Sequence, residues 1–329
     1  MNILVTGGAG YIGSHAVRLF LERGHDVWVY DNLLFGHRAS VPVDRLTVGD
    51  LNETHRIDQL LLEKRIDAVV HFAAFCFVGE SVQNPAKYWQ NNVVNTFNLM
   101  ECLRRHKVSK FVFSSTAATF GTPEKMPITE ETPQKPINPY GMSKLTVEKM
   151  LADYSQAYQW GFAALRYFNA SGAHADGKIG EDHTPETHLI PLVIQAAMGQ
   201  RPHIEIFGTD YPTPDGTCVR DYIHVDDLAE AHLLALEKLQ PGQQMHYNLG
   251  IGRGYSVREV IAAVEAVTGK KVPVKEGPRR AGDPPVLVAS SDKIQKELGW
   301  KPHYTDIKSI VESAWNWHKS HPKGYRSKN

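Results

Sequence analysis

Residues 5–13 read VTGGAGYIG, and they decide the fold. The apolar run NILVT in front of them reads as a strand, and the segment behind them opens a helix. Gly7, Gly10 and Gly13 therefore fall on a strand-to-helix turn. Glycines there permit a tight bend, close backbone approach to a pyrophosphate and close packing of helix on strand. The free N–H groups of the helix start favour a negatively charged ligand. Working outward, short β-rich runs alternate with amphipathic stretches over the first half: DVWVYD, LTVGD, AVVHFAA, KFVFSS and FAALRYFN are separated by helix-like segments. This alternation predicts an α/β fold, a doubly wound parallel Rossmann sheet with helices on both faces.

The second strand ends at Asp31 in VWVYDN. A carboxylate at that place can accept hydrogen bonds from both ribose hydroxyls of NAD and would repel the 2′-phosphate of NADP, so NAD is the expected cofactor. Asp50 in GDL follows the third strand, where it reads equally as a ligand contact or a turn former. HFAA (71–74) ends the fourth strand at the rim where an open sheet meets its ligand, and the small Ala73 and Ala74 would let a cofactor lie against the backbone. Next, FVFSSTAATFG (111–121) leads a strand into Ser114, Ser115 and Thr116, any of which could hydrogen-bond a substrate oxygen or simply form a turn. In NPYGMSKLTVEK (138–149) Tyr140 and Lys144 stand four apart, on one face of a helix. An ammonium beside a phenol should make Tyr140 easier to ionise.

Composition narrows the function classes. Acidic and basic residues balance at 36 each, which gives no electrostatic case for nucleic acid or an anionic membrane. Cys76, Cys102 and Cys218 form no CxxC pair, as expected of reduced thiols in a cytoplasmic protein. The chain starts without a charged leader, and no apolar run approaches the roughly 20 residues of a bilayer span. Among 16 histidines, HTPETH (183–188) lacks a helical HExxH arrangement, so no metal is expected and loop hydrogen bonds are the reading. After Asn169 the texture turns to Gly-, Pro- and His-rich loops, with helices near 187–199 and 225–239. This predicts a cofactor domain over 1–170, to which segments near 210–250 return, and a substrate-binding region over 171–329. Ser256 with Glu259 makes a capping box, and DIKSIVESAWNWHKSH closes the chain as a helix.

ILVTGGAGYIGSH, HFAA with VGES, NNV, SST, PYGMSK, RYFNASGAH, IFGTDYPTPDGTCVRDYIHVDDLA and RRAGDPP together resemble the extended short-chain dehydrogenase/reductase superfamily, and within it the UDP-glucose 4-epimerase family. The resemblance implies interconversion of UDP-galactose and UDP-glucose at C4 through a transient 4-keto sugar. It implies that Tyr140 is the acid/base, that Lys144 binds the nicotinamide ribose and lowers the tyrosine pKa, and that Thr116 is the third catalytic hydroxyl. NAD would be held by the glycine turn with Tyr11 and Ile12, by Asp31, Asn32, Asp50 and Leu51, by Phe72, Ala73, Ala74, Asn91 and Ser114, and by Tyr167 and Phe168. For the UDP-sugar, Arg220 and Arg280 match diphosphate-binding arginines, Asn169, Leu189 and Phe207 surround the nucleotide sugar, and Asp283 lies near the uridine ribose. The chain departs from the family pattern at three places. Cys76 stands for a lysine that reaches the cofactor, His188 for an asparagine before Leu189, and Leu287 for a tyrosine beside the sugar 2-substituent, leaving room for an N-acetyl group. A homodimer packed through helices near 85–106 and 139–158 is also implied. Two other readings stay open: a nucleotide-sugar 4,6-dehydratase or decarboxylase, whose Asp-Glu after the catalytic Thr is replaced here by Ala117 and Ala118, and a non-catalytic NAD-sensing module.

Overall fold

The computed structural model describes residues 1–280 and 283–327, so the Ala281–Gly282 step of RRAGDPP lies outside the described residues. Seven strands form one parallel sheet: β1 (Asn2–Thr6), β2 (Asp26–Asp31), β3 (Leu46–Val48), β4 (Ala68–His71), β5 (Lys110–Ser114), β6 (Gly161–Tyr167) and β10 (Gln244–Leu249). Their spatial order is β10-β6-β5-β4-β1-β2-β3, with every pairing parallel. Successive side chains of a strand point to opposite faces, and the apolar residues obey this. Ile3 and Val5 enter a core with Val17 and Phe20 of the Tyr11–Glu22 helix and Leu228 and Leu236 of the Val225–Lys238 helix. Leu4, between them, enters the opposite core with Leu99 and Leu103 of the Asn95–Arg105 helix and Val147 and Leu151 of the Pro139–Tyr158 helix. Strands buried on both faces read as continuous apolar runs for this reason.

The chain winds outward from β1 to β3, then crosses back to β4. The carboxyl ends of β1 and β4, Thr6 and His71, therefore flank the crevice at which open α/β sheets bind ligands. β7 (Asn169–Ser171) follows β6 almost directly and pairs with β9 (Val219–His224), which also pairs with β11 (Gly254–Ser256) and β13 (Val286–Leu287). β8 (Ile204–Phe207) pairs with β12 (Val274–Gly277). This second layer has its own apolar core, built from the Leu189–Ala197, Val257–Thr268 and Ile307–Ser320 helices. The Ser256–Glu259 capping box forms in both directions, and the closing helix starts on an Asp306 cap. Among the described residues no helix is long and apolar enough to cross a membrane.

The helix expected near 85–106 is broken into three parts. Pro85–Tyr88 is α-helical, Trp89–Val94 is a π-turn and Asn95–Arg105 resumes the α-helix. The buried Asn92 side chain accepts from Phe75 N at 2.8 Å and donates to Phe75 O at 3.0 Å and Ser143 Oγ at 3.1 Å. The Thr96 hydroxyl takes up the Asn92 carbonyl at 2.8 Å. Such insertions often mark functional sites.

Candidate active site

The glycine turn is pressed against the rim of β4. Gly7 has φ +71°, and a Cβ there would stand 2.5 Å from Ala73 N, while one at Gly13 would stand 2.2 Å from Gly7 O. Only glycine fits either place. A Cβ at Gly10 would meet just Gly7 O, at 3.3 Å, which leaves the outer side of the turn open. Asp31 is buried at the end of β2 and accepts from Ala9 N at 2.9 Å and Leu33 N at 2.8 Å, one on each oxygen. Each oxygen keeps a lone pair for a further donor. Asn32 donates to Asp50 at 2.9 Å, and Asn95 reaches the same carboxylate at 3.3 Å, so Asp50 is a junction as well as a turn residue.

Beneath the crevice, His71 Nδ1 meets Thr6 Oγ1 at 2.6 Å and Nε2 meets Thr96 Oγ1 at 3.0 Å. Because Thr96 already donates to the Asn92 carbonyl, it must accept from His71 Nε2–H, and Nδ1 then accepts from Thr6. Burial, helped by Lys144, lowers the His71 pKa to about 3, in keeping with this neutral tautomer.

The three hydroxyls at the end of β5, Ser114, Ser115 and Thr116, go to three different partners. Ser114 Oγ pairs with Tyr167 OH at 2.5 Å, and Ser115 Oγ donates to Glu148 at 2.5 Å. That leaves Thr116, whose side chain caps the short turn through Ala118 N and interacts with Tyr140. Tyr140 begins a helix capped by Asn138, which accepts from Gly141 N at 2.8 Å, with Pro139 at the first helical position. Gly141 permits the approach, since a Cβ there would lie 2.5 Å from Ala118 O. One turn on, Lys144 Nζ donates to the Ser114 carbonyl at 2.8 Å. Glu148, a further turn along, is clamped by Arg166 on β6 at 3.0 and 2.6 Å and by Gln134 at 3.1 Å.

Electrostatics here differ from the expectation of an easily ionised Tyr140. Burial raises the phenol pKa well above its ordinary value, with the Cys76 thiol adding to this and Thr116 opposing it. Lys144 does not offset the desolvation, because its ammonium is turned to the Ser114 carbonyl; burial lowers its own pKa to about 8. The sequence argument counted neighbouring charges and left out the loss of water. Cys76 is exposed to the cleft yet ringed by protein, and burial raises its thiol.

On the other side of the cleft, β13 runs beside β9 with Leu287 in register with Arg220. Leu287 and Phe168 both pack against the small cluster of Ala117, Phe120 and Ile128, whose Ala117 follows Thr116 in the chain. Arg220 and Asp283, expected to touch different parts of a ligand, form an ion pair with each other. The Arg280 guanidinium lies over the Phe207 ring at 4.0 Å. Asn169 spends its amide on the Asp221 carbonyl at 2.9 Å. Tyr11 OH donates to Gly172 O at 2.6 Å, tying the glycine turn to the loop after β7. His188 precedes Leu189 as the cap of its helix, and its half-exposed ring binds Glu181 at 2.5 Å, while His183 lies near Glu181 and Glu186. His188 thus makes the kind of loop hydrogen bond expected of these histidines, and His183 stands within ion-pair distance of the same loop's carboxylates. A separate cavity of about 310 Å³, lined by His15, Arg18, Asp226 and Tyr304 among others, contains none of the expected site residues.

Sequence reasoning missed His71, Asn92, Glu148 and Arg166. Glu148 stands four residues beyond Lys144 and so shares the Tyr140 face, a spacing that could have found it, but its partner Arg166 lies on a strand whose register only the fold supplies.

Residues 3–250 match the NAD dependent epimerase/dehydratase family. The UDP-glucose 4-epimerase of Lacticaseibacillus casei is 51% identical over 331 residues, 100% of both chains. A crystal structure of a UDP-glucose 4-epimerase, 51% identical, superposes with a TM-score of 0.97 over 99% of each chain. That of Bifidobacterium longum UDP-glucose 4-epimerase in complex with NAD+ and UDP is 40% identical, with a TM-score of 0.93 over 99% of this chain and 100% of that one.

Proposed function

The chain belongs to the NAD dependent epimerase/dehydratase family, and from that premise we propose how its residues interconvert UDP-galactose and UDP-glucose. The activity is an isomerisation at C4 with NAD as cofactor. The residues present fit that cofactor: the glycine turn leaves its outer side open at Gly10, the helix Tyr11–Glu22 starts there, and Asp31 retains one lone pair on each oxygen for ribose hydroxyls. Held there, NAD would supply the acceptor and donor of the C4 hydride.

In this reading Tyr140 accepts the proton of the sugar 4-hydroxyl and later returns it, while Thr116 hydrogen-bonds the same oxygen. Burial makes the phenol a reluctant acid in the chain alone. A positive charge on the oxidised cofactor would supply what Lys144, turned to the Ser114 carbonyl, does not. Lys144 is placed to bind the nicotinamide ribose. Glu148 and Arg166 hold Ser115, and with it the backbone that carries Thr116. Arg220 and Arg280 take the diphosphate, for which Arg220 exchanges Asp283 for phosphate oxygens and frees that carboxylate for the uridine ribose. A firm hold on UDP with few fixed contacts to the hexose lets the 4-keto sugar turn its other face before hydride returns. Leu287, packed against the cluster of Ala117, Phe120 and Ile128, leaves for an N-acetyl group the space that a larger side chain would fill, and UDP-N-acetylhexosamines are proposed as further substrates. No proton-transferring side chain follows Thr116, where Ala117 and Ala118 stand, which disfavours dehydration.

The proposed division is a cofactor unit over 1–170 completed by the Val225–Lys238 helix and β10, and a UDP-sugar unit in the rest. For assembly, Val94 and Phe97 are 42% and 45% exposed beside Met150 and Tyr154 of the Pro139–Tyr158 helix, an apolar face suited to a twofold homodimer. Three unpaired cysteines suit a cytoplasmic setting.

The observation that carries the mechanism is the convergence of Thr116, Tyr140 and Lys144 at the end of β5, next to the glycine crevice. Purified protein incubated with UDP-galactose and followed by NMR should yield UDP-glucose to an equilibrium mixture, and Tyr140→Phe should not. Equal rates for both proteins would overturn the assignment.

A further inference from the structure

We propose that Glu181, His183, Glu186 and His188 form a binding site for one divalent transition-metal ion of the zinc class, which holds the 181–188 loop in place and takes no part in the chemistry. The four side chains come from one eight-residue stretch, EDHTPETH, and their donor atoms all lie within 4.8 Å of one another. Two imidazole nitrogens and two carboxylate oxygens are a donor set that zinc accepts, and magnesium or calcium, which prefer oxygen alone, would not.

The spacing fits a tetrahedron. Bonds of ~2.0–2.1 Å at tetrahedral angles put ligand atoms ~3.3–3.5 Å apart. His183 Nδ1 stands 3.3 Å from Glu181 Oε1 and 3.5 Å from Glu186 Oε2, the Glu186 oxygen to which neither Thr187 N nor His188 N donates. His188 Nδ1 meets Glu181 Oε1 in a hydrogen bond at 2.5 Å, a separation that would open by roughly 0.8 Å around an ion. Both rings present the same nitrogen to the cluster, with centroids 5.3 Å apart and planes at 69°.

A second observation points to a ligand. His183 Nδ1 is buried between two carboxylates, at 3.3 and 3.5 Å, without a well-directed hydrogen bond to either, so it is aimed at the point the carboxylates share. The Glu186 carboxylate is held from behind, as metal ligands usually are, by Thr187 N and His188 N, which donate to its Oε1 at 2.7 and 2.8 Å. Trp317 Nε1 donates to the Glu181 backbone carbonyl at 3.1 Å and so fixes the main chain at that residue. Two carboxylates and two neutral imidazoles around a divalent ion leave no net charge.

The consequence would be positional. His188 caps the helix that begins at Leu189, and the His183 ring stands edge-on to Tyr11 at 6.1 Å. An ion here fastens the loop between the glycine turn and the Leu189–Ala197 helix.

The test uses the full-length protein with its bound cofactor, purified without chelator and equilibrated with limiting zinc. Elemental analysis should find one zinc per chain, and X-ray absorption should give two nitrogen and two oxygen neighbours. His183→Ala and the milder Glu186→Gln should each weaken zinc, measured against a competing chelator, by more than the ~10–100-fold expected for losing an outer partner. Their circular dichroism reports whether they fold. Wild type that stays folded and takes up no zinc overturns the proposal. So does zinc whose affinity is unchanged in a folded Glu186→Gln protein.

Discussion

Replacing Lys144 by methionine should stabilise the cofactor-free protein while ending turnover. Lys144 is 2% exposed, and burial, outweighing the attraction of Cys76 and Glu148, lowers its pKa from 10.5 to about 8. At about 1.36 kcal/mol per pKa unit, holding the ammonium in this place costs on the order of 3 kcal/mol near neutral pH. Methionine has similar length and no charge to desolvate. It gives up the 2.8 Å bond to the Ser114 carbonyl, worth about 1 kcal/mol. The net gain is then about 2 kcal/mol. The sign with pH follows from proton counts. Between the folded value near 8 and the unfolded value of 10.5, the unfolded chain binds a proton that the folded chain lacks, so wild-type stability rises with pH across that window. Below it, the full penalty applies. Urea unfolding of cofactor-stripped wild type and Lys144→Met, followed by tryptophan fluorescence, should show the variant ahead near pH 7 and the gap shrinking towards pH ~10. A variant less stable than wild type near neutral pH, or a gap that does not change with pH, would refute the reasoning.

Glu148→Ala should do the reverse. It leaves the buried Arg166 guanidinium without its two bonds, at a cost of about 3–5 kcal/mol, and Glu148→Ala with Arg166→Met should recover most of the loss in the same urea assay. Leu287→Tyr should selectively remove turnover of UDP-N-acetylgalactosamine while UDP-galactose is still converted; equal loss on both substrates, or none on the acetylated one, would contradict the pocket assigned to Leu287. Asp31→Ser should weaken NAD and narrow the preference over NADP, measured by fluorescence titration of stripped protein, since it removes the charge that repels a 2′-phosphate.

Most of the fold was legible because its signals are local. Each parallel strand is a short apolar run, and the Gly7, Gly10 and Gly13 turn, the Asp31 strand end and the Ser256–Glu259 box declare themselves within a few residues. Tyr140 and Lys144 share a face by helical spacing alone. What stayed hidden depends on register or burial. Nothing near Glu148 announces Arg166, which becomes its partner only when β6 lies beside β5. His71 reads as one letter of HFAA, yet it joins Thr6 to Thr96 across three elements. The ease of ionising Tyr140 was argued from a neighbour four residues away, whereas the folded chain turns that neighbour to a carbonyl and surrounds the phenol with protein. The Glu181–His188 loop looked like a run of hydrogen-bonding side chains because its convergence on one point requires the loop to be folded.

The most direct test of the account follows the hydrogen at C4. UDP-galactose carrying deuterium at that carbon, incubated with the purified protein in ordinary water, should give UDP-glucose that keeps its deuterium at C4, because hydride leaves and returns within one closed site while only the hydroxyl proton passes through Tyr140. Product that has exchanged its deuterium with solvent would contradict the account.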